Sequence, residues 1–483
     1  MARQHTVSPG SSQMKVQPEA SSRDGISLID RNVQMVLEDA YRTLSSVNIE
    51  LGAIQDVLPL TNFQTKCVET EFIFRQNCNY FHIGLGGEVD IAQLEGTCVS
   101  LLEQLPLLRS CFLPIQGVHR QVVLRSNHID PVTVVNLDGE TDFDQYFDQF
   151  CPRDVETLSY KCPPCRMVVV HETKTGTTHL IIRMSHAQYD GISVGPLFQA
   201  ILKSYTNGTV GPLGPDFSAY LSYAAQLRPL SIEFWRQRLR GCRPPGALAS
   251  KIRPAAPSRD LTAQRVDVAT EVRLPSLPRN VTLATVASAA WAVVLGAVTG
   301  SRDVVYGHLV SGRNAALDGV GDIVGPCINY VPVRVALGNG GGGAHTPGDL
   351  LRAVQTQFVE TGEADALGFR DVVADCTDWP AGSDFDCVFQ HQNVEERPVF
   401  GGAGPVRATL GFYERGDAGP PRVSVVTYPT GSGGLRVRLG GNTHVVTRET
   451  AVQLVDMVAK ASIFLTSNMD ADLQMFMTGL YQE

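Results

Sequence analysis

The stretch HLIIRMSHAQYDGISVGPLF (179–198) carries two hydrophobic periods joined by a short polar turn. HLIIRM (179–184) reads as a strand. From Val194 the apolar positions Leu197, Phe198, Ile201, Leu202 and Tyr205 recur at three- and four-residue spacing, the signature of a helix face. Ser193 or Gly195 is available as its cap, and Pro196 stands in the first turn, where a missing amide proton costs nothing. The segment is therefore strand, tight turn, helix, with His186, Asp190 and Gly191 in or next to the turn. Such a junction aims a side chain into a cleft, and a glycine there is expected to permit a sharp bend. A histidine so placed has two readings: a core residue with satisfied nitrogens, or a base whose neutral imidazole is abundant near pH 7.

Working outward, strands are expected at HRQVVL (119–124) and CRMVVVHE (165–172), the latter joined to 179–184 by a hairpin turn at KTGT. A helix is expected over 89–108, capped by Asp90 with Gln93 three residues on, and an amphipathic segment over 33–44. The second half repeats the alternation. Helices are expected at 282–298, 349–361 and 449–465, and strands at 304–310, 328–337, 387–392, 422–429 and 435–441. Residues 1–26 are polar and read as a disordered tail or linker. CRPPGALASKIRPAAPSRDLTAQ (242–264), rich in Pro and Ala, reads as the passage between two lobes, 27–241 and 265–483.

The 483-residue chain is 43% hydrophobic and 18% charged, the composition of a globular protein. A net charge of −9 with no basic block argues against nucleic acid or anionic membrane as partner. The apolar run 283–298 is shorter than the ~20 residues a bilayer span needs, and no secretory signal opens the chain, so a cytoplasmic location is expected. Eleven scattered cysteines fit a reducing compartment, and the KCPPC pair (Cys162, Cys165) lacks both the second Cys/His pair of a zinc site and the helix start of a redox motif. GNGGGGAHTPG (338–348) lacks the Lys-Ser/Thr ending of a phosphate loop and reads as a flexible loop. No resident cofactor or metal is expected.

A single histidine with no Ser or Cys nucleophile beside it suits general-base acyl transfer, in which an amine or hydroxyl attacks a thioester. Here the motifs acquire a family. SHAQYDGIS (185–193) resembles the HHxxxDG motif of nonribosomal peptide synthetase condensation domains. LPLTNFQ (58–64) resembles their LTPxQ motif, LLRSCF (107–112) their LRTxF motif, and IVGPCINYVPVR (323–334) their VGxFxNTxPxR motif. DVVYGHLVSGR (303–313) and CVFQHQN (387–393) stand in the family's order, so that the resemblance covers roughly residues 40–465. It implies an α/β fold of two chloramphenicol-acetyltransferase-like lobes in a V-shaped pseudo-dimer with a central tunnel. A floor loop is implied near 308–326 and a latch near 394–421. The phosphopantetheine arm of a carrier domain would enter the tunnel with its thioester.

The same resemblance makes His186 the catalytic histidine, gives Gly191 the keeping of the turn, matches Arg109 to the LRTxF arginine and makes Arg334 the partner of Asp190. Loss of either member of that buried pair would cost about 3–5 kcal/mol. The sequence departs from the family at Ser185, where the first histidine normally stands, and carries Ser193 three residues after Asp190. The resulting S-H-x-x-x-D-x-x-S resembles fungal terminal condensation-like domains, which cyclise and release a peptidyl thioester by attack of an internal amine. Ser185 either bonds near the reacting groups or fills the space of the missing imidazole, and Ser193 has a plain reading as a helix cap. The partner implied is an upstream carrier domain, with the excised domain monomeric. Alternatives are a chain-elongating condensation domain forming a linear amide, an epimerisation domain, a catalytically silent carrier-docking module, and a BAHD-type acyltransferase. The DFGWG that the last would carry near its end is missing from the sequence.

Overall fold

The computed structural model describes residues 39–40, 42–43, 45, 50–74, 78–128, 132–211, 213–253, 263–338, 343–393, 407–412, 422–431 and 433–480. The expected tail 1–26, most of the 33–44 segment, part of the 242–264 passage, residues 339–342 of the glycine-rich loop and most of the 394–421 latch lie outside them.

Fourteen strands among the described residues form three sheets: β1 (Ile54–Pro59), β2 (Cys78–Gly86), β3 (Ser110–Ile115), β4 (Val118–Leu124), β5 (Val132–Leu137), β6 (Arg166–Glu172), β7 (Thr178–Ser185), β8 (Arg265–Arg273), β9 (Asp303–Val310), β10 (Asn329–Ala336), β11 (Cys387–His391), β12 (Arg407–Phe412), β13 (Val423–Pro429) and β14 (Gly434–Asn442). The first half, joined by β12, builds a five-stranded sheet in the order β12-β2-β7-β6-β5 and by itself a small antiparallel sheet β1-β4-β3. The second half builds a six-stranded mixed sheet, β10-β9-β11-β13-β14-β8.

The centre of the first sheet explains why 179–184 lacks clean alternation. Strand β7 is covered on both faces: Leu180, Ile182 and Met184 join a core with the helices Ile91–Gln104 and Gly191–Asn207, whereas Ile181 faces a second core with Phe143 and Phe147. A strand buried on both sides is free to be apolar at every position. The expected KTGT hairpin forms, with β6 and β7 antiparallel and Gly176 at φ 71° supplying the left-handed turn position. Asp90 caps Ile91–Gln104 by accepting from the Gln93 amide, as its spacing suggests.

In the second half, the helix Leu283–Thr299 is apolar all round because it is enclosed, packed against the helices Arg448–Ser467, Leu473–Leu480 and Pro347–Thr361 and against β9, β11 and β13. No helix among the described residues is long and apolar enough to cross a membrane.

Two elements tie the halves together. Strand β12, from the second half of the sequence, pairs antiparallel with β2 and extends the first sheet. The helix Phe217–Leu239 buries Phe217 and Tyr220 with Phe63, Leu107, Ile323 and Cys327, and its far end buries Trp235 and Leu239 among Val331, Phe369 and Phe385. The turn at 186–190 lies at this junction.

Candidate active site

The turn after β7 is held by struts from other segments. The Gln64 side chain donates to the Ala187 carbonyl at 2.9 Å. Gln188 donates to the carbonyls of Leu107 and Leu108, both at 3.2 Å. This is the physical content of the LPLTNFQ and LLRSCF motifs: each brings a backbone or amide group to the 186–190 turn. Ser185 is fully buried; its hydroxyl oxygen accepts from the Ala187 amide at 3.1 Å and meets the Tyr160 hydroxyl at 2.8 Å. Both of these bonds go to groups of the fold itself, one within the turn and one on the segment before β6.

His186 is half-buried. Its Nδ1 lies 3.0 Å from the Tyr189 carbonyl oxygen, which has no proton to give, so Nδ1 carries the hydrogen and donates it. In the neutral ring the lone pair therefore sits on Nε2. The imidazole stacks on the Tyr189 ring (4.5 Å between centroids, 7° between planes) and makes a T-shaped contact with Phe63 (5.5 Å, 79°). Burial pushes the His186 pKa below its ordinary value, against the opposing pull of the Tyr189 carbonyl and Asp190, so the ring is neutral at pH 7.

Asp190 does not touch His186 by hydrogen bond; it organises the start of the next helix. It is the N-cap of Gly191–Asn207, accepting from the Ile192 and Ser193 amides. Ser193 is not that cap but the third helical residue of a capping box, and its hydroxyl oxygen accepts from the Asp190 amide at 2.9 Å. The other carboxylate oxygen accepts from the Cys327 amide at 3.0 Å.

The cation facing Asp190 is Arg313, not Arg334. Its guanidinium grips the carboxylate in bidentate fashion at 2.9 and 3.1 Å and donates further to the Ile323 and Gly325 carbonyls. Arg334 instead lies within β10, opposite Val305 of β9, where it pairs with its diagonal cross-strand neighbour Asp303 and donates to the Arg238 and Arg240 carbonyls. Both motifs, SGR and PVR, end in arginine, and only the turn after β9 carries one of them back to the junction. Burial pushes the Asp190 carboxyl up, and Arg313 and the Ser193 amide pull the other way.

One further expectation changes. Gly191 has no positive φ, and a Cβ there would meet nothing within 4 Å, so the backbone does not require glycine. The glycine that geometry demands is Gly312, at φ 63°, where a Cβ would fall 1.9 Å from the Cys327 carbonyl oxygen. Arg109 is buried away from the turn; it donates to the carbonyls of Leu102, Glu103 and Leu124 and to Gln55, stapling a helix end to the small sheet.

Among the described residues no group of His, Cys, Asp and Glu could hold a metal ion. A cavity of about 600 Å³ is lined by Arg238, Arg334, His345 and Asp349, and its lining includes none of the residues that touch His186.

The family model for the condensation domain matches residues 54–405. The chain belongs to the condensation-domain family. This condensation domain is 40% identical, over 95% of its length, to nonribosomal peptide synthetase dtxS1 of Metarhizium robertsii, and 36% identical, over 92%, to nonribosomal peptide synthetase 30 of Fusarium vanettenii. It spans only 6% and 7% of those two proteins. Among solved structures it resembles that described as holo T3CT, at 26% identity and TM-score 0.76, covering 89% of this chain and 96% of the other. The two-lobed, acetyltransferase-like α/β fold is thus shared, and condensation domains of this kind are acyltransferase-type, amide-forming enzymes that take their substrates from carrier domains.

Proposed function

We propose that this condensation domain is of the terminal, ring-closing type: it cyclises and releases a peptidyl thioester delivered on the phosphopantetheine arm of an upstream carrier domain. The observation that carries the reading is His186, whose Nδ1 is committed to the Tyr189 carbonyl, which leaves Nε2 as the free base at a junction of the two halves. The S-H-x-x-x-D-x-x-S pattern and the resemblance to a structure named T3CT support it. Asp190, Ser193 and Arg313 shape the turn, and Ser185 is part of its scaffold.

In the reaction, an internal amine of the peptide attacks the thioester carbonyl. Nε2 of His186 takes the proton that nitrogen sheds as the C–N bond forms. The C–S bond then breaks, and the same proton passes to the departing pantetheine sulfur, so imidazole ends neutral. Where the nucleophile is a weakly basic amine, already neutral at pH 7, the ring's positioning of it weighs as much as proton removal. The lobes are read as 27–241 and 265–483, and the setting as the cytoplasm of a fungal cell.

The test is product identity. The domain is given a peptidyl-pantetheine thioester with a free internal amine, and the products are followed by mass spectrometry. A cyclic product that disappears in His186→Ala carries the proposal. Linear amide formed only when a second amine donor is added overturns it in favour of chain elongation, and carrier binding without turnover overturns it in favour of a docking module.

A further inference from the structure

We propose that Tyr189, anchored by Asn79, is the positioning residue that holds the His186 imidazole in one plane and one tautomer; the idea deepens the cyclisation reading of the same site and rests on it. Three contacts converge on this residue, one on its backbone and two on its side chain. Its backbone carbonyl takes the Nδ1 proton of His186 at 3.0 Å. Its ring lies against the imidazole with planes 7° apart. Its hydroxyl accepts from the Asn79 side-chain amide at 2.6 Å.

One residue thus fixes both the rotation of the histidine ring and the nitrogen that bears the hydrogen. A half-turn of the ring would take Nδ1 from its acceptor and put a C–H edge there. The tyrosine is in turn held from β2. Asn79 and Phe81 are two residues apart and so share a face of that strand, and Phe81 meets the Tyr189 ring edge-on at 5.3 Å and 87°. Tyr189 is buried, 4% exposed, so its hydroxyl needs a partner away from water, and the Asn79 bond both meets that need and fixes where the ring lies. The partner provided is a neutral amide. The charged group acting on His186 is the Asp190 carboxylate, which the Arg313 guanidinium engages. The same stack covers one face of the imidazole, and Phe63 stands nearly perpendicular to it.

The experiment uses the full chain with ¹⁵N-labelled histidine, the His186 signals being assigned by difference against His186→Gln. In the wild type, Nδ1 is expected to show the N–H signature, Nε2 the bare-nitrogen signature, and the ring to titrate below the usual histidine range. Tyr189→Leu keeps the backbone carbonyl but removes the stacked ring, so the imidazole should be free to turn off that acceptor: the tautomers should mix, the titration should return toward the ordinary value, and thioester turnover should fall about 10- to 100-fold in kcat with KM within about twofold. Tyr189→Phe and Asn79→Leu should each give a smaller loss in the same direction, and the double variant should be no worse than either, because both cut one contact.

Unchanged His186 signals in Tyr189→Leu would overturn the proposal. Should that variant fail to fold, unchanged tautomer and turnover in both Tyr189→Phe and Asn79→Leu would overturn it equally. Tautomer shifts in a protein that makes no cyclic product would sustain the positioning role and remove the cyclisation reading.

Discussion

Two aspartate–arginine pairs in this molecule use the same chemistry in different surroundings. Asp190 and Arg313 meet where the halves join, with side chains 0% and 6% exposed, and every oxygen of the carboxylate is also served by backbone amides. Asp303 and Arg334 meet on a sheet edge, 37% and 26% exposed. The first has no water to replace a lost partner, whereas the second does. Burial, not the identity of the residues, decides how much each pair contributes.

The largest effect should therefore come from Arg313→Met, which strands the Asp190 carboxylate. A loss of about 3–5 kcal/mol in unfolding free energy is expected, with loss of soluble protein and turnover. Chemical denaturation measures it, and a change below about 1 kcal/mol would erase the distinction between the two pairs. Next, Arg109→Met leaves buried carbonyls of Leu102 and Leu124 without their donor and should cost about 1–3 kcal/mol, while kcat per folded molecule holds. A kcat that falls in step with Arg313 variants would instead place Arg109 in the site.

Burial acts on an imidazole in the same way. His308 lies against Phe358 and Phe389, and burial, helped by His391, pushes its pKa to about 4. Its folded value is below the unfolded one, near 6.5. Above that unfolded value both states are neutral and it contributes no slope. As pH falls from there toward 4 the unfolded chain takes up the proton first, so stability declines across that window. Melting temperature against pH should show this component, and His308→Phe should remove it. The smallest effect should be Arg334→Met, at most about 1 kcal/mol after solvent screening, measured as a double-mutant cycle with Asp303→Asn.

Much of the fold is legible in the sequence because local rules set it: the Asp90 cap, the Gly176 turn and the enclosed small-residue helix at 283–299 all follow from spacing and composition. Strand β12 is not legible that way, since its partner β2 lies more than three hundred residues earlier and no local period announces a strand that changes halves. At the site, His186 and Asp190 stand out as a motif, but which arginine reaches Asp190 depends on how far the chain turns after β9. Gly312, placed just before Arg313, is the available signal, because glycine is the residue a chain uses where it must turn with positive φ and backbone must come close. Tyr189 and Asn79 are not legible there, because a tyrosine in a polar turn and an asparagine in a strand carry no pattern until they are seen to touch.

The central claim is that neutral His186 is the group on which ring closure depends. Single-turnover consumption of a peptidyl-pantetheine thioester, wild type against His186→Ala at pH 7, tests it most directly. The rate of cyclic product formation should fall by about 10²- to 10⁴-fold in the variant, with its fold intact. Equal rates in the two proteins would contradict it.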